Sequence, residues 1–564
     1  MAESVPNTST ATNALLTDRW FYGLATLGIL LNLTGFFPIV IEPDGALYAS
    51  IAKTMAKTSD FVNLMVQGQD WLDKPHFPFW VTAISFKLFG INSFAYKLPA
   101  LLFFGAGVAY TYRFARLTYS KTVAQIATLV VLTPYHLVLS NNDVRAEPYL
   151  FGLTIGAVYH FFRVYWLGAY WHMLLACFLT ACAIMTKGPF MIVPIGGGLV
   201  LHWVLTGQSR ELLKPRWWLA VALVLVFTLP ELICLYLQFD MHPEKVVFGR
   251  TGVSGVQFFF WDSQFGRFFN TGPIKGAGDP FFFTHTLLWA FLPWSLLLYA
   301  AIGRAIYRFV RWQDALPEYV SIGSGLATFL LFSLSSFQLP HYLNIVFPFY
   351  AIITAHFLVK LQPEGQNLRR WTYVQTGLAV LLLVAGGALV GLVHPGYFEW
   401  AIAWLVACAG LLIWAFWKGG LLALLSRTAV GALAAFGLLN LFIFPELLHC
   451  QAGSEAAFFI NEHNQKYRPV AIYRHNFYSY DFFLQHPIQY YEQDSLLASA
   501  ARYQPLWVFT DRQNADSLAR KGFSVRPLAE FSYYHITKPS LPFLNAKTRD
   551  SVTTPYVVAE IRAY

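Results

Sequence analysis

Charge is scarce in this chain: only 12% of its 564 residues are Asp, Glu, Lys or Arg, about half the roughly 25% usual in a soluble domain. With 56% hydrophobic and 18% aromatic residues, that deficit excludes a freely soluble protein. Cysteine is also rare. The five present (Cys177, Cys182, Cys234, Cys408, Cys450) lie mainly within or beside apolar runs, where a thiol behaves as a small hydrophobe, and they show no metal-ligand spacing. Internal repeats are absent, which weighs against a transporter built from two inverted halves. The net charge of +9 is spread over short loops rather than gathered on one face, so it points to membrane topology and not to nucleic acid.

What is abundant is long uncharged sequence. Runs able to cross a ~30 Å hydrocarbon core recur at 20–41, 122–142, 164–186 and 188–209. The uncharged stretch 319–359 is broken by Ser335, Ser336, Gln338 and Pro340, and reads as two helices joined by a short turn. Counting by length predicts about thirteen spans, the last near 428–445. The first run is too long for a signal-peptide core and has no small-residue cleavage site, so it is expected to remain as a helix. The expected fold is thus an all-α polytopic membrane protein with a small C-terminal α/β extramembrane domain. Its expected divisions are a disordered cytoplasmic leader (1–19), a transmembrane domain (20–445) with long outer loops at 42–97 and 240–279, and the α/β unit (446–564). The last division rests on regained charge and on strand-like runs at 470–473 and 506–509.

Loop charge orients the chain. Arg113, Arg116 and Lys121, then Arg210, Lys214 and Arg216, then Arg304, Arg308 and Arg311, then Lys360, Arg369 and Arg370 fall on alternate short loops, the pattern of a cytoplasmic face. The opposite short loops, 337–341 and 394–399, carry no Lys or Arg. Both long loops and the C-terminal tail then face the periplasm of a bacterial inner membrane, and chemistry is expected there.

Glu42 and Asp44 follow the first span, in IEPDGALYASIAKTM. Leu47, Ile51 and Met55 recur at helical spacing, as in a helix lying in the membrane interface. Asp44 could take a proton from an acceptor hydroxyl or could simply complement a helix N-terminus. Lys74, in WLDKPHFPFW, could bind a phosphate as a point charge or snorkel beside an aromatic belt. Asp143, Arg145 and Glu147 share another outer junction, where Arg145 either serves a substrate or pairs with an acidic neighbour. Lys187 in MTKGPF, and His341 with Tyr342 in FQLPHYL, mark two further junctions. Arg267 and His285 belong to the second long loop, although a lone histidine near a span is more often a packing residue. These groups together outline an outward-facing, membrane-level cavity suited to an amphiphile carrying a phosphate.

The motifs EPDGALYASIAKTM, DKP with its aromatics and KLFG, DVRAEPYL, TKGP, QFGRF and PHYL, taken in this order over nearly the whole chain, resemble the polytopic glycosyltransferases of family 39. That family includes protein O-mannosyltransferases, which use dolichyl-phosphate mannose, and the aminoarabinose transferase acting on lipid A. The resemblance implies a C-type glycosyltransferase fold and a polyprenyl-phosphate sugar donor. It also implies a lipid A (lipopolysaccharide) or protein hydroxyl acceptor. Asp44 is then the essential carboxylate, Glu147 a second acidic position, and Lys74 with Arg267 the donor-phosphate site. Arg145, Asp143, Lys187, His341, Tyr342 and His285 are expected to bind substrate. Where aminoarabinose-type members carry Glu and Arg soon after the catalytic Asp, this chain has Gly45 and Leu47, and Gln338 replaces a lysine. Some relatives hold a divalent metal, but Gln264 stands at its histidine position, so no firmly bound metal or other cofactor is expected, with a divalent metal kept as the alternative. The rival expectation, a transporter or flippase of lipid-linked sugars, requires polar groups continuing to the cytoplasmic side, whereas those named here gather on one side.

Overall fold

The structure, a computed structural model, describes residues 17–311, 316–362, 365–465 and 467–563. Residues 1–16 of the expected leader lie outside that range, and Asp18 and Arg19 already belong to the first helix.

Apolar runs become helices because a spanning backbone must satisfy its own hydrogen bonds in hydrocarbon. The first half contains α1 (Asp18–Leu33), α2 (Asp44–Thr58), a small hairpin of β1 (Met65–Val66) and β2 (Gln69–Asp70), α3 (Phe77–Phe89) and α4 (Ser93–Thr118). There follow α5 (Lys121–Val131), α6 (Tyr135–Asn142), α7 (Glu147–Leu167), α8 (Tyr170–Lys187), α9 (Ile192–Leu205) and α10 (Pro215–Leu235). The second half continues with the one-turn α11 (Gly255–Gln257), α12 (Phe282–Ala290), α13 (Ser295–Val310), α14 (Val320–Ser333), α15 (Phe347–Val359), α16 (Gln366–Val393), α17 (Phe398–Phe416), α18 (Gly420–Ala432) and α19 (Phe444–Leu448).

Among the described residues eight helices are long and apolar enough to cross a membrane, or nine when the pair α5 and α6, bent by 55°, counts as one. The expected thirteen is not reached at that length, because α1, α3, α9, α13 and α14 are each shorter than a full span. The break expected within 319–359 is present, with a 3-10 turn over Pro340–Val346 leading into α15.

Burial separates central from peripheral spans. Pro340–Val359 is 89% buried and Glu147–Leu167 72%, whereas Gln366–Val393 and Phe398–Phe416 are each only 28% buried and turn most of their apolar surface toward lipid. The central α7 approaches α4 closely: a Cβ on Gly152 would fall 2.2 Å from the Phe103 carbonyl oxygen, so glycine is required there.

The sequence suggested that α2 lies on the membrane surface. Instead, residues on all sides of it are buried, including Ser50 and Lys53, because α3 packs against one side and the C-terminal unit covers another. That unit contains α20 (Ala452–His463), β3 (Val470–Tyr473), α21 (Tyr478–Phe483), β4 (Ile488–Tyr491), α22 (Asp494–Tyr503), β5 (Leu506–Asp511), α23 (Arg512–Arg520), β6 (Ser524–Tyr533), α24 (Leu541–Leu544) and β7 (Thr554–Arg562). The strands form one sheet in the order β4-β3-β5-β7-β6, parallel through the first three and antiparallel beyond. All four β3 residues are buried, Val470 and Ile472 in one apolar cluster and Ala471 and Tyr473 in the other, as strand alternation between two covered faces requires.

Candidate functional site

The site is assembled where helix ends from distant parts of the chain meet. Asp44 opens α2, with its carboxylate 44% exposed and 2.6 Å from Arg145 Nη1. Arg145 stands just before α7 and also donates through Nη2 and Nε to Asp143 Oδ2, at 2.7 and 3.1 Å. It therefore bridges two carboxylates, which is the pairing expected of it. Gly45 belongs to the same arrangement, since a Cβ there would come within 3.0 Å of Asp143 Oδ1. Asp143 occupies the space into which a side chain at position 45 would grow.

Glu147 is the first residue of α7 and is buried. It accepts from Lys187 Nζ at 2.6 Å, while His341 Nε2 lies 3.7 Å away. Lys187 ends α8, and its ammonium sits 3.8 Å from the Tyr342 ring centroid, a cation–π contact. The next residue, Gly188, has φ +105°, and a Cβ on it would lie 2.0 Å from Gln264 Nε2. The TKG turn thus depends on glycine twice, for its backbone conformation and for its clearance.

Asp73 joins the first long loop to the second, accepting from both Lys74 and Arg267. Burial pushes its carboxyl upward, but Lys74 and Arg267 outweigh that and hold it below the usual range. Burial pulls the Lys74 ammonium below its usual value, with Asp73 opposing. The Arg267 guanidinium lies over the Phe337 ring at 5.5 Å, and its Nε is buried without a hydrogen-bond partner among the described residues. A small cavity of about 60 Å³ adjoins it, walled by Lys187, Gln264, Arg267 and Tyr342 on its polar side and by Phe190 and Leu331 on its apolar side.

These clusters form one electrostatic neighbourhood. Lys74 feels the Asp44 charge, and Lys187 feels Lys74 and Arg267. Asp44, Asp143, Arg145, Glu147, Lys74, Lys187, Arg267, His341 and Tyr342 are thus brought together. His285 is not: it is exposed on α12 with its ring 5.4 Å from Phe282. Sequence reasoning missed Tyr48, which is buried beside Asp44, Asp73 and Glu147. Its position four residues after Asp44 on one helix was the available signal.

The residues do not fit a metal. Among those described, no three His, Cys, Asp or Glu side chains gather to hold one. Asp73 is engaged by two cations, and the Gln264 amide donates to Ser263 Oγ at 2.8 Å and the Lys187 carbonyl at 3.4 Å.

Residues 73–234 match the family described as dolichyl-phosphate-mannose-protein mannosyltransferase. An uncharacterized protein of Aquifex aeolicus (strain VF5) is 27% identical over 58% of this chain and 60% of its own length. The undecaprenyl phosphate-alpha-4-amino-4-deoxy-L-arabinose arabinosyl transferase of Edwardsiella ictaluri (strain 93-146) is 27% identical over 65% of this chain and 64% of its own. The matched part therefore spans somewhat less than two thirds of each of these two relatives. The crystal structure of ArnT from Cupriavidus metallidurans bound to undecaprenyl phosphate superposes with a TM-score of 0.74, covering 96% of this chain and 98% of that one at 19% identity. The chain has the ArnT fold and resembles the polytopic glycosyltransferases.

Proposed function

On this shared fold, we propose that the chain transfers a glycosyl group from a polyprenyl-phosphate carrier to an acceptor at the outer face of a bacterial inner membrane. The observation that carries the reading is the meeting of a part-exposed carboxylate, Asp44, with the half-buried cations Lys74, Lys187 and Arg267 at one end of the helices, beside a cavity with apolar walls. A lipid-linked sugar phosphate needs that combination, with isoprenoid against the apolar wall, phosphate on the cations and sugar toward the carboxylate. Lipid A or a protein hydroxyl is the acceptor in this reading. The unit 446–564 lies on the periplasmic side, with Asp44.

Arg267 and Lys74 hold the carrier phosphate, and the unpartnered Nε of Arg267 supplies a donor for it. The acceptor oxygen attacks the anomeric carbon from the face opposite the phosphate, and the carbon–oxygen bond to phosphate breaks with inversion. The electron pair leaves on the phosphate oxygen, where Lys74 and Arg267 stabilise the growing charge. A hydroxyl acceptor gives its proton to Asp44, whereas an anionic lipid A phosphate would need no base and Asp44 would orient substrate. Glu147 fixes Lys187 and His341 at the back of the site, and no step uses a metal.

The test is transfer from a radiolabelled polyprenyl-phosphate sugar in proteoliposomes. With a hydroxyl acceptor, Asp44→Asn is expected to lower the rate by about 10²–10⁴-fold, the usual worth of a general base. Turnover near wild type would remove Asp44 from the chemistry.

A further inference from the structure

A second cavity, of about 710 Å³, lies at the other end of the same helices. Three helices connect the two places. Lys187 and Phe190 stand just before α9 while Leu201 and Leu205 near its end line the second cavity. Leu331 and Phe332 lie at the end of α14 while Ile322 and Leu326 lie near its start. Tyr342 precedes α15 while Ile353, His356, Phe357 and Lys360 close it. With the span Pro340–Val359 about 30 Å long, the second cavity sits at the opposite membrane face.

Its walls are aliphatic and aromatic, and among the described residues its charged lining groups are cations: Arg304, Arg308 and Lys360. Arg304 and Arg308 are four residues apart on α13 and so share one helix face. Among the described residues neither Arg304 nor Lys360 has a carboxylate partner. Glu318, the nearby buried acid, is already occupied, accepting from the Tyr119 hydroxyl at 2.9 Å and the Ser321 N–H at 2.8 Å.

The place follows from helix length. α14 has 14 residues and α13 has 16, giving about 21 and 24 Å against a ~30 Å core. Both pack against α15, and two short helices flanking one central span leave a deficit of protein that the bilayer must fill. A volume of this size falls in the range of about 300–1,000 Å³ typical of ligand sites.

We propose that this cavity binds an anionic diacyl phospholipid of the leaflet opposite the carboxylate cluster, with its phosphate on Arg304 and Lys360 and an acyl chain against Leu326, Ile353 and Phe357. Cations from two helices match a phosphate's several oxygens better than the single carboxylate of a fatty acid. A soluble anion would leave the apolar wall unfilled. The site is independent of the glycosyl-transfer reading.

The test uses the full chain in phosphatidylcholine nanodiscs doped with phosphatidylglycerol carrying a photoreactive acyl chain, with labelled peptides mapped by mass spectrometry. Labelling is expected within 301–326 or 353–360. With each cation near a headgroup worth about fivefold, Arg304→Gln with Lys360→Gln is expected to reduce labelling about 25-fold. Leu326→Trp, which fills the cavity without altering charge, is expected to reduce it as well and serves if the double variant does not fold. Equal labelling by photoreactive phosphatidylcholine, unchanged labelling in the folded variants, or displacement of phosphatidylglycerol by stoichiometric polyprenyl phosphate would each overturn the proposal, the last by giving the cavity to the carrier.

Discussion

Glu42 and Asp44 are carboxylates two residues apart, and their surroundings are opposite. Asp44 is part-exposed and faces a cation, Arg145, at 2.6 Å. Glu42 is 9% exposed and accepts from the Tyr478 N–H at 2.8 Å and from the Ser479 hydroxyl, while its own N–H donates to Gln451 Oε1 at 2.9 Å. Every one of those partners belongs to the C-terminal unit or its approach. A second buried ionisable group, Lys53 on the same helix as Asp44, donates to the carbonyls of Asp481, Phe482 and Leu484. One region therefore keeps a carboxylate accessible to a ligand, while its neighbour uses buried ionisable groups, each satisfied by hydrogen bonds, to seat α2 on α21. The C-terminal unit is thus part of the scaffold that fixes Asp44.

Parallel variants would break that comparison most directly. Asp44→Asn, with its expected loss of about 10²–10⁴-fold in rate, is expected to unfold at nearly the wild-type temperature, because the side chain is exposed on one side. Glu42→Ala is expected to do the reverse at the chemical step. It strands the Tyr478 N–H and the Ser479 hydroxyl at a buried seam, at about 1–3 kcal/mol for each unsatisfied group, and should lower the thermal midpoint of the detergent-solubilised chain. Equal midpoints for the two variants would erase the distinction. A smaller effect is expected for Lys53→Met, which keeps the stem's packing but leaves carbonyls without their donor. Limited proteolysis should then cut between α21 and β4 more readily than in the wild type, and an unchanged cleavage rate would count against the seam.

Much of this was legible in the sequence. Low charge and uncharged runs dictated membrane helices, alternate loop charges placed the polar junctions together, and DGALYASIAK located the start of α2 at Asp44. The pairing itself was hidden: Arg145 reaches Asp44 across 101 positions and Arg267 reaches Asp73 across 194, and spacing within a loop carries no information about such contacts. The orientation of α2 was misread for a related reason. Ser50 and Lys53 look like a wet face because polar side chains usually meet water, but here they meet the backbone of α21. His285 stands apart from the cluster, and a histidine at a helix start looks the same in sequence whether it faces a cavity or solvent. Tyr48 could have been found from its four-residue spacing to Asp44.

The finest test of the comparison uses pH. Burial raises the Glu42 carboxyl from 4.5 to about 7, against the lowering effect of Ser479 and Tyr478. Between those values the folded chain retains a proton that the unfolded chain has released, so this group's contribution to stability is fullest below about 4.5 and declines as pH rises to about 7, then stays level. Glu42→Gln has no such titration. The wild type's thermal midpoint minus that of the variant is therefore expected to fall between pH 5 and pH 7 and to be constant from pH 7.5 to 8.5. Scanning fluorimetry at half-unit steps reads the difference directly, since every other titrating group is common to both proteins. Parallel profiles would mean that Glu42 is solvated like Asp44, and the contrast between the two carboxylates would collapse.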